Sequence, residues 1–340
     1  MNNMKKVGLS ALAGSLVAFS ANAVELTVTG KTEITYTGTT DGNNGNKFGN
    51  GNAITFSGSG DMNGYTATYT AVIQDMGQAS SNTSETFASS SLMLDMGDMG
   101  TIGFDAGVGE FGVSTIDDKM PYAYEEIWTY TGASNGLRAA GGANVLGYKN
   151  TFAGYTLSLE VDPGHAASKT ATKGGNGDGG NTGAGTDRSG YNYALTGSPI
   201  DGLNVGVGYG KEEDSGTAAA NKQDDTYTTG FATYAVGGLT VGYQKSEGNG
   251  GTTATNSNVV DIMGASFNIN DSLAISVNSM ENEFDKPSGT NVTEETDGFG
   301  ISYTMGSASI RMLRAETTNK GGASTAKDVE HTEVSLMLSF

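Results

Sequence analysis

The chain ends Val334-Ser335-Leu336-Met337-Leu338-Ser339-Phe340. Val334, Leu336, Leu338 and Phe340 share one parity, and His331, Glu333 and Ser335 take the other. Successive side chains of a strand point to opposite faces, so this pattern reads as a strand with one apolar and one polar face. The same period of two recurs upstream. Leu26, Val28, Ile34 and Tyr36 alternate with Thr27, Thr29, Lys31, Glu33 and Thr35. It returns at Tyr65/Ala67/Tyr69/Ala71/Ile73, Tyr155/Leu157/Leu159/Val161, Leu203/Val205/Val207/Tyr209 and Phe299/Ile301/Tyr303. The opposing positions are mostly Thr, Ser, Asn, Gly and acids, a face suited to water.

A soluble sandwich also alternates, so the connections have to decide. Seven short ones, such as Asp61–Gly64, Asn150–Gly154, Ser198–Gly202 and Gly237-Gly238, alternate with eight long ones. The long ones are Gly38–Gly51, Asp75–Thr86, Asp105–Ala143, Asp162–Ser189, Lys211–Asp225, Lys245–Ser257, Glu281–Thr296 and Ala315–Val329. Sixteen strands with short turns at one end and long loops at the other match an antiparallel transmembrane β-barrel with short periplasmic turns and long outer loops. Such a sheet must close, because the bilayer core offers no water to an open edge. Pro121, Pro163, Pro199 and Pro287 all fall in predicted turns or loops. Tyr36, Tyr148, Tyr155, Tyr209 and Tyr243 stand near predicted strand ends, where an interfacial aromatic girdle would lie.

Composition agrees. Apolar residues make up 36% of the 340, thin for a packed core of that size, and 53 are Gly. A barrel economises by burying its outer face in lipid and leaving the lumen wet. There is no Cys, which excludes thiolate metal sites and Cys nucleophiles. Acids outnumber bases 37 to 18, so the surface repels nucleic-acid phosphates. At the N-terminus, Lys5 and Lys6 precede the apolar segment Val7–Phe19, too short to span a bilayer, and Ala21-Asn22-Ala23 fits a cleavage site. Residues 1–23 are expected to be a cleaved signal peptide and 24–340 the barrel.

The chain resembles the Gram-negative general porins, most closely the alphaproteobacterial kind. The resemblance runs over its length and rests on an ordered set of features. These are the opening strand Val24-Glu25-Leu26-Thr27-Val28-Thr29-Gly30; Ser91-Leu92-Met93-Leu94-Asp95-Met96-Gly97 with its turn into Thr101-Ile102-Gly103-Phe104; a third loop far longer than its neighbours; and a last strand ending in Phe340. It implies a homotrimeric diffusion pore in the outer membrane, among lipids that include lipopolysaccharide. It also implies a third loop folded into the lumen as a constriction, and a C-terminal signal, here Leu336, Leu338 and Phe340, read by the barrel-assembly machinery.

The third loop carries Asp105, Glu110, Asp117, Asp118, Glu125 and Glu126 against Lys119 and Arg138. In similar porins such acids face a basic cluster on the wall; here the candidates with lumen parity are Lys31, Lys149 and Arg311. Closure would also bring Lys31 and Glu33 beside His331 and Glu333. Six acids against few bases at a narrow neck predict mild cation selectivity. The water-facing parity of Ser335 predicts that an Arg is tolerated there. Tyr122, Tyr124, Trp128 and Tyr130 are read as packing the loop against the wall, with a sugar track as the alternative.

Other motifs weigh less. Gly107-Val108-Gly109-Glu110-Phe111-Gly112 fits G-x-G-x-x-G but has no strand–helix context. Gly174–Gly185 reads as a flexible exposed loop. Asp117/Asp118, Glu125/Glu126 and Glu212/Glu213/Asp214 have the oxygen chemistry for Ca²⁺, though solvated charge is the default for such groups. No G-x-S-x-G elbow or triad supports an enzyme. The remaining alternatives are a substrate-specific channel for a sugar or other nutrient and, more distantly, a β-structured adhesin.

Overall fold

In the computed structural model each alternating stretch is a strand. The structure describes residues 25–40, 46–75, 87–117, 119–129, 131, 137, 143–163, 189–213, 224–250, 257–285 and 291–340. Sixteen strands follow in order: β1 (Glu25–Thr39), β2 (Phe48–Met62), β3 (Tyr65–Asp75), β4 (Phe87–Asp95), β5 (Thr101–Ala106), β6 (Ala143–Phe152), β7 (Tyr155–Asp162) and β8 (Gly190–Ile200). Then come β9 (Leu203–Glu212), β10 (Asp225–Val236), β11 (Leu239–Asn249), β12 (Ser257–Asn268), β13 (Leu273–Asp285), β14 (Glu294–Met305), β15 (Ala308–Thr318) and β16 (Val329–Ser339). Each pairs antiparallel with its sequence neighbours, and β16 pairs with β1, so the sheet closes and has no edge.

Closure is in register across the seam. Ile34 lies opposite Leu336 and Tyr36 opposite Val334. Phe340 prolongs the ladder: Gly30 N–H donates to its carbonyl (2.7 Å), and Phe340 N–H donates to Gly30 O (2.9 Å). Its ring lies where a Gly30 side chain would stand, so glycine on β1 makes room for the terminal aromatic. The short turns are tight. Asn63 (φ 57°) and Gly64 (φ 87°) are both left-handed, as a two-residue hairpin following the strand twist requires.

The two faces separate as parity predicts. Val334, Leu336 and Leu338 are 41%, 45% and 44% exposed on the outside, whereas Ser335 is 1% exposed. Among the described residues no helix is long and apolar enough to cross a membrane; crossing falls to the strands. Tyr36 and Tyr243 stand outward toward the long-loop end, and Tyr155 beside a short turn at the other end.

Several boundaries differ from the sequence reading. Pro199 lies inside β8 rather than in a turn. It sits at a register shift between Gly197 and Ile200, where the ladder skips a residue and the missing N–H costs no bond. The loops read as Gly38–Gly51 and Ala315–Val329 are shorter, because the strands run on past the apolar band. Tyr36 and Phe48 meet edge to face at 5.3 Å, and the Thr296 and Thr317 hydroxyls bond at 2.7 Å. The turn read as Asn150–Gly154 tightens to Ala153-Gly154. The Gly174–Gly185 segment lies outside the described residues.

Candidate functional site

The third loop, between β5 and β6, lies inside the barrel. It leaves β5 through a turn capped by the buried Asp105, whose carboxylate accepts Val108 N–H (2.7 Å) and Glu110 N–H (2.6 Å). A short 3-10 turn, Gly112–Thr115, then begins a path along the inner wall. Gly112 N–H donates to Ser158 Oγ on β7 (2.8 Å), and Val113 N–H to Asn192 Oδ1 on β8 (2.8 Å). On β13, Pro121 O accepts from Asn278 Nδ2 (3.0 Å) and Ala123 N–H donates to Ser276 Oγ (2.9 Å). Tyr124 OH reaches the seam, donating toward Glu333 Oε1 (2.5 Å) and Glu33 Oε1 (3.0 Å). These bonds carry the loop past β7, β8, β13, β16 and β1 in turn.

Bare backbone receives it. A Cβ on Gly147 or Gly103 would collide with the Phe111 ring, one on Gly242 with Pro121, and one on Gly298 with Ile127. Gly208 lies under Ile116 and Val113. Water-facing parity positions on β5, β6, β9, β11 and β14 therefore carry glycine where the loop presses. Between them rises an apolar cluster: Val113, Ile116, Met120, Ile127 and Trp128 from the loop against Tyr227, Phe231, Val260, Ile262, Met280 and Leu313 from the wall. Here the rule of apolar out, polar in reverses, because a loop rather than water covers the wall. Tyr124 and Trp128 pack as expected. Thr27, Thr29 and Lys31 on β1 stay exposed, so open lumen remains on that side.

The charged groups are largely matched. Lys149 Nζ meets Glu110 Oε2 at 2.8 Å and lies 5.6 Å from the Phe111 ring centroid. Arg311 meets Glu33 Oε1 at 2.7 Å, and its guanidinium lies 4.5 Å from the Tyr124 ring centroid. Ser335 Oγ bonds both Glu33 and Arg311, so this position is a filled polar core rather than open lumen. The expectation that Arg is tolerated at Ser335 is corrected accordingly. His331 Nε2 stands 3.6 Å from Glu333 Oε2. Two carboxylates, Glu33 and Glu333, therefore share the Tyr124 hydroxyl, Glu33 also meeting the Arg311 guanidinium and Glu333 the His331 ring.

On the loop, burial pushes the Glu126 carboxyl up to about 7, helped by the hydrogen bond that its protonated form donates to neighbouring Glu125. Glu125 and Asp117 are half-buried; Asp118 lies outside the described residues. The structure brings Glu110 to Lys149 and Arg311 to the β1–β16 seam, but leaves Lys31 apart from both pairs. Among the described residues no group of three or more His, Asp or Glu could hold a metal ion. Sequence reading missed two buried wall groups, Asn192 and Glu160, bonded at 3.0 Å beneath the loop. It also missed the wall glycines, whose signal was present: Gly147, Gly208, Gly242 and Gly298 all occupy water-facing parity.

A closed sixteen-stranded barrel holding its third loop against the inner wall invites comparison with known channels. The profile of the Gram-negative porins matches residues 8–336. The chain belongs to that family. No curated protein matches it at a significant level. Among solved structures, Salmonella typhi OmpF in complex with daunomycin is similar at 13% identity and TM-score 0.70, over 93% of this chain and 97% of that one. The loop L8 deletion mutant of Vibrio cholerae OmpT, an outer membrane protein, is similar at 10% identity and TM-score 0.68, over 94% and 100%. The anion-selective porin of Comamonas acidovorans is similar at 12% identity and TM-score 0.65, also over 94% and 100%. At these identities the likeness is one of fold. This porin is an outer-membrane channel by family.

Proposed function

We propose that this porin is a general diffusion channel for small hydrophilic solutes and ions, mildly cation-selective, with its third loop as the constriction. The observation that carries the reading is the loop's path along the inner wall from β7 to the seam, with hydroxyl-bearing β1 residues left open to water. Selectivity follows from the sites left after pairing. Glu110 and Lys149 offset each other, and Glu33 with Glu333 outweigh Arg311 by one charge. Glu125 and Asp117 on the loop are matched in number by Lys119 and the exposed Lys31, which leaves the one-charge excess at the seam. Fields concentrate in a narrow low-dielectric pore, so a small excess there suffices.

The remaining readings rest on the family. Residues 1–23 act as the signal peptide and are removed on export. The mature chain assembles as a homotrimer among lipopolysaccharide-bearing lipids, and the barrel-assembly machinery reads Leu336, Leu338 and Phe340. A trimer form is on record for Vibrio cholerae OmpT. The reading is of a channel without catalysis. Planar-bilayer recording tests it: stepwise conductance with a cation-side reversal potential supports it, and absence of conductance from folded protein sinks it.

A further inference from the structure

Between the third loop and the inner wall, on the short-turn side, lies a chamber of about 430 Å³, within the range of small-ligand sites. The loop supplies Glu110 and Lys119 to its rim, the wall supplies Lys149, Thr196 and Asn204, and the Phe231 ring forms part of its floor. Thr196 and Asn204 belong to the ends of β8 and β9 next to the Asp201-Gly202 turn, which places the chamber toward the periplasm. Glu110 and Lys149 are bound to each other at 2.8 Å. Among the described residues no carboxylate stands within ion-pair distance of Lys119. The chamber therefore offers one ammonium with open valence, a hydroxyl, an amide and an aromatic face.

We propose that this chamber is a binding station for small polyhydroxylated monocarboxylates, held at the carboxylate by Lys119. The inference rests on the channel reading above and adds a solute class to it. One uncompensated positive charge matches one negative charge; a dianion would place its second charge near Glu110. The Thr196 hydroxyl and Asn204 amide supply both donors and acceptors for solute hydroxyls. The Phe231 ring suits the C–H face of such a molecule. A station of this kind slows the matching solute at the exit of the constriction while neutral sugars of equal size pass without pausing.

The test uses sodium gluconate as probe, with glucose as the neutral control of similar size, on the full mature porin in planar bilayers. Gluconate added on the short-turn side should give a saturable partial block, and glucose should not. Lys119→Met should raise the half-blocking concentration about fivefold, the loss of one charge-assisted contact at a partly wet site, while Lys119→Arg keeps it low. Equal block by gluconate and glucose, or superimposable titrations for wild type and Lys119→Met, would overturn the proposal. Should Lys119→Met not fold, Thr196→Val serves, with about a threefold rise expected and an unchanged titration counting against the station. Calorimetric titration of gluconate into detergent-solubilised porin reads the site without requiring conductance. A conducting channel that binds no gluconate sinks the station alone, whereas a non-conducting protein that binds it sinks only the channel reading.

Discussion

Gly147 holds the third loop in place by having no side chain. The Phe111 ring, fully buried, occupies the space where its Cβ would stand. Gly147→Ala should destabilise the porin by about 1–3 kcal/mol through overpacking, and lifting the loop should raise single-channel conductance. Phe111→Ala alone should cost about 3–5 kcal/mol. The double variant should lose less than the two together, with a coupling of about 0.5–3 kcal/mol in a urea refolding cycle. Gly51→Ala, where nothing lies within 4 Å, should leave both readouts near wild type; additive effects at Gly147 and Phe111 would refute the socket. Glu126 gives the loop a pH response. Its carboxyl rises to about 7, so it is neutral below that value and charged above it. Ionisation is the disfavoured state of a buried acid, so the loop is held less firmly as pH rises from the unfolded value near 4.5 through 7. Cation preference should therefore grow between pH 6 and 8, and Glu126→Gln should flatten that change in reversal-potential measurements.

At the scale of the strand, two-sided solvation made the barrel legible. Lipid selects Val334, Leu336 and Leu338 on one face and water selects polar groups on the other, so parity alone locates the strand and its outside. On β16 the outward residues below Thr332 are apolar to the end of the chain, which centres Leu336 in the bilayer-facing band. Leu336→Arg should then cost about 2–4 kcal/mol, read by refolding into lipid vesicles. Thr29→Arg, on the exposed lumen side of β1, should be near neutral; equal costs would overturn the assignment of faces. Where neither solvent dictates the pattern, the sequence spoke less clearly. Beyond the apolar band, strands are held by polar pairs such as Arg314 with Glu330 at 3.0 Å, and a rule based on apolar parity ends them early. Pro199 misled for a related reason. A strand tolerates it only at a bulge, and the bulge depends on the neighbouring register, not on local composition.

For the molecule as a whole, the lumen carries two chemistries, and only one was visible in the chain. Val260, Ile262 and Leu313 occupy inward parity yet are fully buried, because a loop from far along the sequence covers them. Their apolar character at wet positions was a signal of that cover, but it names no partner. Pairing was likewise invisible: six acids on the loop count as six until Glu110 is seen against Lys149 and Arg311 against Glu33. Ion preference should follow pairing rather than composition. Glu110→Gln releases the Lys149 charge and should move the reversal potential toward anions by more than Glu125→Gln does. Lys149→Met releases Glu110 and should move it toward cations. Neutralising Glu213, on an outer loop, should change little, since a charge at the wide rim is screened by bulk electrolyte. All the shifts should shrink at 1 M salt, where the screening length is about 3 Å. Measured under a KCl gradient in planar bilayers, opposite signs for Glu110→Gln and Lys149→Met support a balanced pair at the neck. A wild type that prefers anions, or the same sign for both substitutions, would remove the constriction role assigned to this loop.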